Sequence, residues 1–542
     1  MDLGRTFRTL RPLHWSQLAA RARIALLGRR RPAQRARDFG TPAALPLLPT
    51  PHEVDISGLG DGRFRHLNAE RRLGTGPVAW QLGAIAAERL WVVTLHYHEW
   101  AAELARANPA LLERLLRDWI QACDPDDDDA LALAWNAYAI ATRIPNWVRA
   151  WQAGAIGPGF RSEFLASLWR QAAFLAANLE WDLRANHLLR DAAGLAWAGR
   201  FFDHAPWRRT AAELALAQAR EQVSAEGLHF ELSPMYHDHA LHDLGELCAL
   251  LPELAPLRET AARMRAASLR LRHPDGDIAL LNDASLTPRP RWSRGAEAGP
   301  EPAARVSPDS FFFRDQLVCY RGEPWSLFFD VGAIGPDCQP GHAHADSLSI
   351  EASYAGARLF VDPGTYAYDL DARRRYDRST AAHNTVALDR QDSSEVWHIF
   401  RVGRRARPIE PRASFARGGL EASGSHDGYD HLPGRPRHRR EVALEGARLR
   451  VRDRIGGDGT HELEGGWLLA PAVRAAAAPG GFRLGSARGE LRVAIEGPPQ
   501  LRRELATRAY HPEFGVELET QRLAWHYRGP LPVEITTVVE PA

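Results

Sequence analysis

The sequence predicts an α+β chain of two large parts, a helical N-terminal half followed by an antiparallel β half of sandwich type. Three observations carry this. From about residue 80 to 272 the apolar residues recur at three- and four-residue spacing, as in Leu111, Leu115, Leu116 and Ile120, the period of a helix with one buried face. Between Thr287 and Pro308 the composition turns rich in Pro, Gly, Arg and Glu. Beyond that break, short β-type runs alternate with Gly, Pro, Asp and Asn turns and no helical crossovers intervene, a pattern of antiparallel strands. With 542 residues, 45% hydrophobic and 25% charged, the chain is too long for one core and suits two or three.

Residues 1–75 read as a basic arm and lead-in. Arg29, Arg30, Arg31, Arg35 and Arg37 make this stretch cationic, and a solvated surface arm is expected, with docking to a partner or membrane surface as the alternative. Its longest apolar run, Ile24 to Leu27, is shorter than the ~7–15 residues of a signal-peptide core. A cytoplasmic location follows from the visible sequence, or a periplasmic or secreted one if the true start differs. No segment has the ~18 uninterrupted apolar residues of an integral membrane span.

Residues 76–295 form the helical part. Its breaks are the acidic run Asp124 to Asp129, the Gly157-Pro158-Gly159 turn and Ala205-Pro206. The acidic run lacks the alternating ligands, central Gly and closing Glu of a calcium loop, so it reads as a solvated helix connection. Residues 296–542 form the β part, with strand-type runs at Ser326–Asp330, Ala357–Val361, Ala447–Val451, Leu491–Ile495 and Val533–Val539.

Composition removes several chemistries. The chain contains no lysine, so all 68 cations of its Lys plus Arg total are Arg. A P-loop Lys, a Schiff-base Lys and pyridoxal catalysis are thereby excluded. Against 67 Asp plus Glu the formal net charge is +1, which provides no overall field for nucleic acid. Cys123, Cys248, Cys319 and Cys338 lie far apart without C-x-x-C spacing, so neither a disulfide framework nor a zinc ribbon is indicated.

Polar residues that are costly to bury collect in a few stretches. Asn186-His187 stands in an otherwise apolar helical segment. His229-Phe-Glu231-Leu-Ser-Pro234-Met-Tyr236-His237-Asp238-His239 places a Tyr in the first turn of a helix, among His residues able to lower a phenol pKa. Gly341-His342-Ala-His344-Ala-Asp346, Asp362-Pro-Gly364 and Ser379-Thr-Ala-Ala-His383-Asn384 offer His and Asp in a pattern suited to zinc or a similar divalent ion. Satisfied core polar groups are the competing reading of each stretch.

Taken together and in order, Trp135 to Trp147, Asn186-His187-Leu-Leu, Ser233-Pro-Met-Tyr236-His, Gly341-His-x-His-x-Asp346, Asp362-Pro-Gly-Thr365 and Ser379-Thr-x-x-His383-Asn-Thr385 resemble the heparinase II/III family of polysaccharide lyases. The resemblance runs from roughly residue 80 to 400 and implies an incomplete (α/α) toroid followed by an antiparallel β-sandwich. It makes Tyr236 similar to the family's catalytic tyrosine, Asn186 and His187 to its carboxylate-neutralising pair, and His342 to its second acid/base. His344, Asp362 and His383 resemble ligands of a structural divalent metal, zinc being the preferred ion, and no organic cofactor is implied. Arg143, Asn146, Trp147, Tyr376 and Arg378 are the expected substrate contacts.

The implied reaction is β-elimination on a uronic-acid polymer or oligomer, an anionic carbohydrate partner. The C5 proton next to the carboxylate is removed and the C4–O bond breaks. Asn, His and Arg donors suit the enolate charge that builds on the carboxylate, while a phenol and an imidazole suit the proton transfers. Tyr236 and His342 are then expected on opposite faces of one sugar ring. Two other readings stay open. A glycoside hydrolase on the same scaffold would need two facing carboxyls, with Glu231 and Asp238 as candidates. A non-catalytic carbohydrate-binding or exopolysaccharide-processing protein would use its 17 Trp and 11 Tyr to stack on sugars.

Overall fold

The computed structural model describes residues 2–31, 39–50, 52–82, 88–287, 306–415 and 419–542. Arg35, Arg37 and the expected boundary at 295/296 lie outside the described residues.

Helices Arg89–Leu95, Ala101–Ala107, Pro109–Ala122, Ala137–Gln152, Arg161–Ala177, Ala185–Phe201, Ala205–Gln222, Pro234–Leu250 and Ala255–Arg270 follow one another. They share one apolar core that includes Trp119, Trp147 and Trp197. Side-chain caps set several of their starts: Asn108 accepts from the Leu111 N–H, Asn136 from Tyr138 and Ser233 from Tyr236, each satisfying an amide the helix leaves unpaired. The acidic run behaves as a connection, for Asp127 caps the short helix Asp128–Ala132 and Asp124 pairs with Arg170.

The helix Ala185–Phe201 is buried almost all round. It packs against Ala137–Gln152, Arg161–Ala177, Ala205–Gln222 and Pro234–Leu250, the position of a central helix. Gly194 permits one of these approaches, because a Cβ there would lie 2.7 Å from the Ala141 Cα.

Among the described residues the second half contains three larger antiparallel sheets and a two-stranded pair, Val396–Trp397 with Arg401–Val402. One runs in sequence order through Phe311–Phe313, Leu317–Gly322, Trp325–Asp330, Ile350–Tyr354 and Ala357–Phe360. An eight-stranded sheet has Arg448–Gly456 beside Val533–Pro541 at its middle, and a four-stranded sheet places Thr460–Leu468 between Val516–Pro530 and Val386–Leu388. Val318, Leu327, Val442, Val451, Leu463 and Trp525 meet in one core, so the sheets are stacked as in a sandwich. Tyr236 and Met235 of the helical half join that core, which fixes the helix Pro234–Leu250 against the β half.

The arm differs from expectation. Helices Leu3–Leu10 and Trp15–Leu27 rest on both halves: Gln17 is buried and donates to the Cys338 carbonyl at 3.0 Å, Arg21 donates to the Asp182 carbonyl, and Arg8 pairs with Glu395 at 2.9 Å. Its hydrogen bonds to each half make this stretch a strap rather than a freely solvated extension.

Candidate active site

Tyr236 lies in the first turn of Pro234–Leu250. The Ser233 hydroxyl that caps this turn donates onward to the Asp283 carbonyl at 2.6 Å, coupling the helix to the segment that leads out of the helical half. The Tyr236 hydroxyl is 3.0 Å from that of Tyr368, and its ring stacks on His342 with centroids 3.7 Å apart at 23°. The expected placement on opposite faces of a sugar is therefore not what is seen. Two van der Waals contacts across an inserted ring need about 7–8 Å, so a sugar enters between these rings only if they part.

Asp283 organises the strand side. Its carboxylate is fully buried and meets His342 Nδ1 at 3.0 Å, His344 Nε2 at 2.9 Å and the Arg374 guanidinium, one nitrogen of which lies at 2.9 Å. Burial alone would raise its pKa, but Arg374 and the two histidines hold it well below the usual carboxylate range. An ionised Asp283 accepts from His342 Nδ1–H, which leaves Nε2 of the neutral imidazole as a lone-pair base.

The phenol departs from the sequence reading in the opposite direction. Burial pushes the Tyr236 pKa well above its ordinary value, and Tyr368 and Asp283 add to this. The histidines along its helix do not reverse the shift. Tyr236 is thus a protonated phenol at neutral pH, suited to give a proton.

On the helix side, Asn186 and His187 occupy the first turn of Ala185–Phe201. Arg184 and Ala185 just before them adopt φ of 65° and 51°, a left-handed conformation unfavourable for residues with a Cβ and frequent at functional sites. His187 Nδ1 is 3.0 Å from the buried Glu180 carboxylate, and its ring is 5.0 Å from that of Tyr138. Burial works against its charge, yet Glu180 outweighs this and raises the His187 pKa. The Asn186 side-chain oxygen is buried without a hydrogen-bond partner among the described residues.

His344, Asp362 and His383 come together behind His342, all buried, with one ligand atom from each within 4.8 Å of the others. His383 Nδ1 is 2.7 Å from Asp362, whereas His383 Nε2 and His344 Nδ1 have no hydrogen-bond partner among the described residues. Two imidazole nitrogens left unpaired beside a carboxylate fit a divalent metal. His14, Glu221 and Cys338 form a second such group, but Glu221 is already gripped by Arg184 at 2.6 Å.

The expected substrate contacts do not gather in the cleft. Arg143 is fully buried, donates to Gln171 and to the His96 carbonyl, both at 2.7 Å, and lies over Trp119. Asn146 donates to the Tyr97 carbonyl and Trp147 to His98 Nδ1. These side chains are spent on the helical core. Tyr376 donates to the Ala509 carbonyl, and Arg378 is buried against the carbonyls of Ala343 and His398, bracing the His342 loop from behind. Tyr368, rather than Tyr376, is the tyrosine whose hydroxyl meets that of Tyr236.

Asp283, Arg374, Tyr368, Tyr138 and Glu180 were not singled out as site residues from the sequence. The available signal was modest: Tyr368 follows the Asp362-Pro-Gly-Thr365 block by three residues, and Glu180 precedes Asn186 by six.

A helical toroid joined to a β-sandwich, with Tyr, His and Asn side chains where the two meet, defines a class of two-part toroid–sandwich proteins. The chain belongs to the heparinase II/III family: the heparinase II/III N-terminus model matches residues 76–295, and the heparinase II/III-like C-terminal model matches residues 305–538. Two heparin-sulfate lyases, from Bacteroides stercoris and Pedobacter heparinus, are each 24% identical over 51% and 58% of this chain. The chain spans about half the length of these relatives, 46% and 54%. Its fold is similar to a crystal structure of heparinase III (TM-score 0.72, 17% identity, 87% of this chain and 80% of that one). It is also similar to the heparan sulfate lyase HepC from Pedobacter heparinus (TM-score 0.60, 18% identity, 97% and 87%).

Proposed function

We propose that the chain is a polysaccharide lyase that cleaves uronate-containing glycosaminoglycan-type polymers or oligomers by β-elimination. The observation that carries this reading is the Tyr236–His342–Asp283 arrangement, an acid and a base in ring contact with the base oriented by a buried carboxylate.

The uronate carboxylate binds beside Asn186 and His187. The imidazolium of His187, favoured by Glu180, draws charge onto the carboxylate oxygens as the C5 proton becomes acidic. His342 takes that proton through Nε2, and the nearby Asp283 carboxylate stabilises the imidazolium that forms. Tyr236, protonated in its buried position, gives its proton to O4 as the C4–O bond breaks. The product carries a C4=C5 double bond.

His344, Asp362 and His383 would hold a divalent ion, zinc by the chemistry of two imidazoles and a carboxylate. Such an ion would supply a cross-link between the three β-half segments that carry these residues. In turn His344 Nε2–H, donating to Asp283, ties that cross-link to the base.

The test is UV absorbance of the unsaturated product on a panel of uronate polymers, starting with heparan-type chains. Tyr236→Phe is expected to keep the wild-type circular dichroism and melting curve while kcat falls by about 10²–10⁴-fold. Wild-type turnover in that variant would exclude the assignment.

A further inference from the structure

The cleft contains a buried acid that the mechanism above does not use. Glu231 is 1% exposed, five residues ahead of Tyr236, and neither of its carboxyl oxygens has a hydrogen-bond partner among the described residues. The groups whose charge reaches it come from both halves: His187 and Tyr138 from the helices, and His342, Asp283 and Tyr368 from the segments beyond them, with the Asn186 backbone N–H beside it. It therefore lies next to the Asn186–His187 turn and in the field of the assigned base, His342. Leu232, its neighbour, has φ 58°, so the chain adopts a left-handed turn immediately before the Ser233 cap and Tyr236.

The second carboxyl that a hydrolase would pair with Glu231 on the sequence reading is already engaged. Asp238, the other candidate, is committed to Arg272 and to the Ser268 hydroxyl.

We propose that Glu231 is a further substrate-binding residue that, as a neutral carboxylic acid, donates its O–H to the uronate carboxylate beside Asn186 and His187. This assignment rests on the lyase reading. A bare carboxylate with no hydrogen bond is among the costliest groups to bury. Burial raises the Glu231 pKa by more than His342, His187 and the Asn186 N–H lower it, and Asp283 reinforces the rise. A protonated carboxyl has one donor, and no protein acceptor for it exists among the described residues. The incoming uronate supplies the acceptor, and hydrogen bonds between an acid and a carboxylate are short and strong. The donor is aimed at the oxygens on which enolate charge accumulates, so it strengthens as the C5 proton leaves.

Two variants and one spectroscopic measurement test this. Glu231→Ala should lower kcat by about 10²-fold on a uronate oligosaccharide. Glu231→Gln keeps a neutral N–H donor and should recover at least tenfold of that loss. Its kcat–pH profile should keep the alkaline decline expected from His187 and lack only the additional loss expected in wild type as Glu231 ionises. The infrared difference between wild type and Glu231→Gln at neutral pH should contain the C=O stretch of a protonated carboxyl, a readout that holds even if Glu231→Ala fails to fold.

Wild-type kcat in Glu231→Ala, a Gln variant as inactive as Ala, or the absence of the protonated-carboxyl band in an active enzyme would each overturn the assignment and leave the lyase reading intact. A wild-type protein that cleaves no uronate polymer would overturn both.

Discussion

Two acids buried in the same cleft have opposite electrostatic fates. Asp283 is met by Arg374, His342 and His344, which hold its pKa well below the usual carboxylate range; the Glu231 oxygens have no hydrogen-bond partner among the described residues, and burial pushes its pKa up. Burial pushes both pKa values upward, so the difference comes from the partners alone. On the strand side His342 Nδ1, His344 Nε2 and Arg374 are all spent on the Asp283 carboxylate. The helix side keeps unpaired polar atoms, on Asn186 and Glu231, and those are the atoms a substrate can satisfy. A site that must bind an anion and move protons needs both kinds of environment, one to fix the base and one to receive the charge.

The largest effect should come from disrupting the contacts at Asp283. Asp283→Asn leaves the buried Arg374 without its counter-charge and replaces one of the two oxygens that orient His342 and His344 with an amide donor. Loss of one partner of a buried pair costs about 3–5 kcal/mol, and mis-orienting a catalytic His lowers kcat by about 10³-fold or more. Denaturant melts and steady-state rates measure the two separately; a variant that matches wild type in both would break the contrast between the two acids. Because Asp283 has a depressed pKa, its contribution to stability is present above the ordinary carboxylate value of about 4 and is lost as pH falls through the folded-state value.

His383→Ala removes one of the three residues suited to hold a metal. Bound metal measured by emission spectroscopy should fall, the melting temperature should drop, and kcat should decline through His344 and Asp283. Unchanged metal content and melting would remove the structural ion from the scheme.

Arg143→Ala sharpens the comparison from the other direction. With its guanidinium donating to Gln171 and the His96 carbonyl inside the helical core, the substitution should cost about 1–3 kcal/mol of stability and leave KM within about twofold. A large rise in KM with unchanged stability would restore Arg143 to the substrate.

The smallest effect is a pH dependence on the helix side. His187 has its pKa raised in the folded protein, so the stability it contributes with Glu180 is fully present below the unfolded value of about 6.5 and is lost as pH rises through the folded value. Glu180→Gln should flatten that part of the stability–pH curve. An unaltered slope above pH 6.5 would count against an imidazolium at His187.

The expected helical and β halves match the observed architecture because each depends on short-range periodicity. The run Val533–Val539 becomes the strand Val533–Pro541, and the Leu111-to-Ile120 spacing becomes Pro109–Ala122. Parts of the site were legible for a similar reason: Tyr236 follows its own Ser-Pro cap, and His342 and His344 stand two residues apart. Arg143, Asn146 and Trp147 misled because a polar residue at a helical position has the same spacing whether it faces a cleft or a core. Tyr376 and Tyr368 were likewise indistinguishable by type, and only packing put the second beside Tyr236.

What the sequence determined by itself was local: the periods, the caps, the absence of any lysine, and the residue types able to neutralise a carboxylate, move a proton or ligate a metal. What the tertiary structure decided was which acid is charged. Asp283 lies 91 residues from Arg374 and 59 from His342, and Glu231 meets the fields of His187 and His342 only after the two halves close. Ionisation in a buried site is set by the nearest few ångströms of space, and those neighbours arrive from separations along the chain that no short pattern encodes.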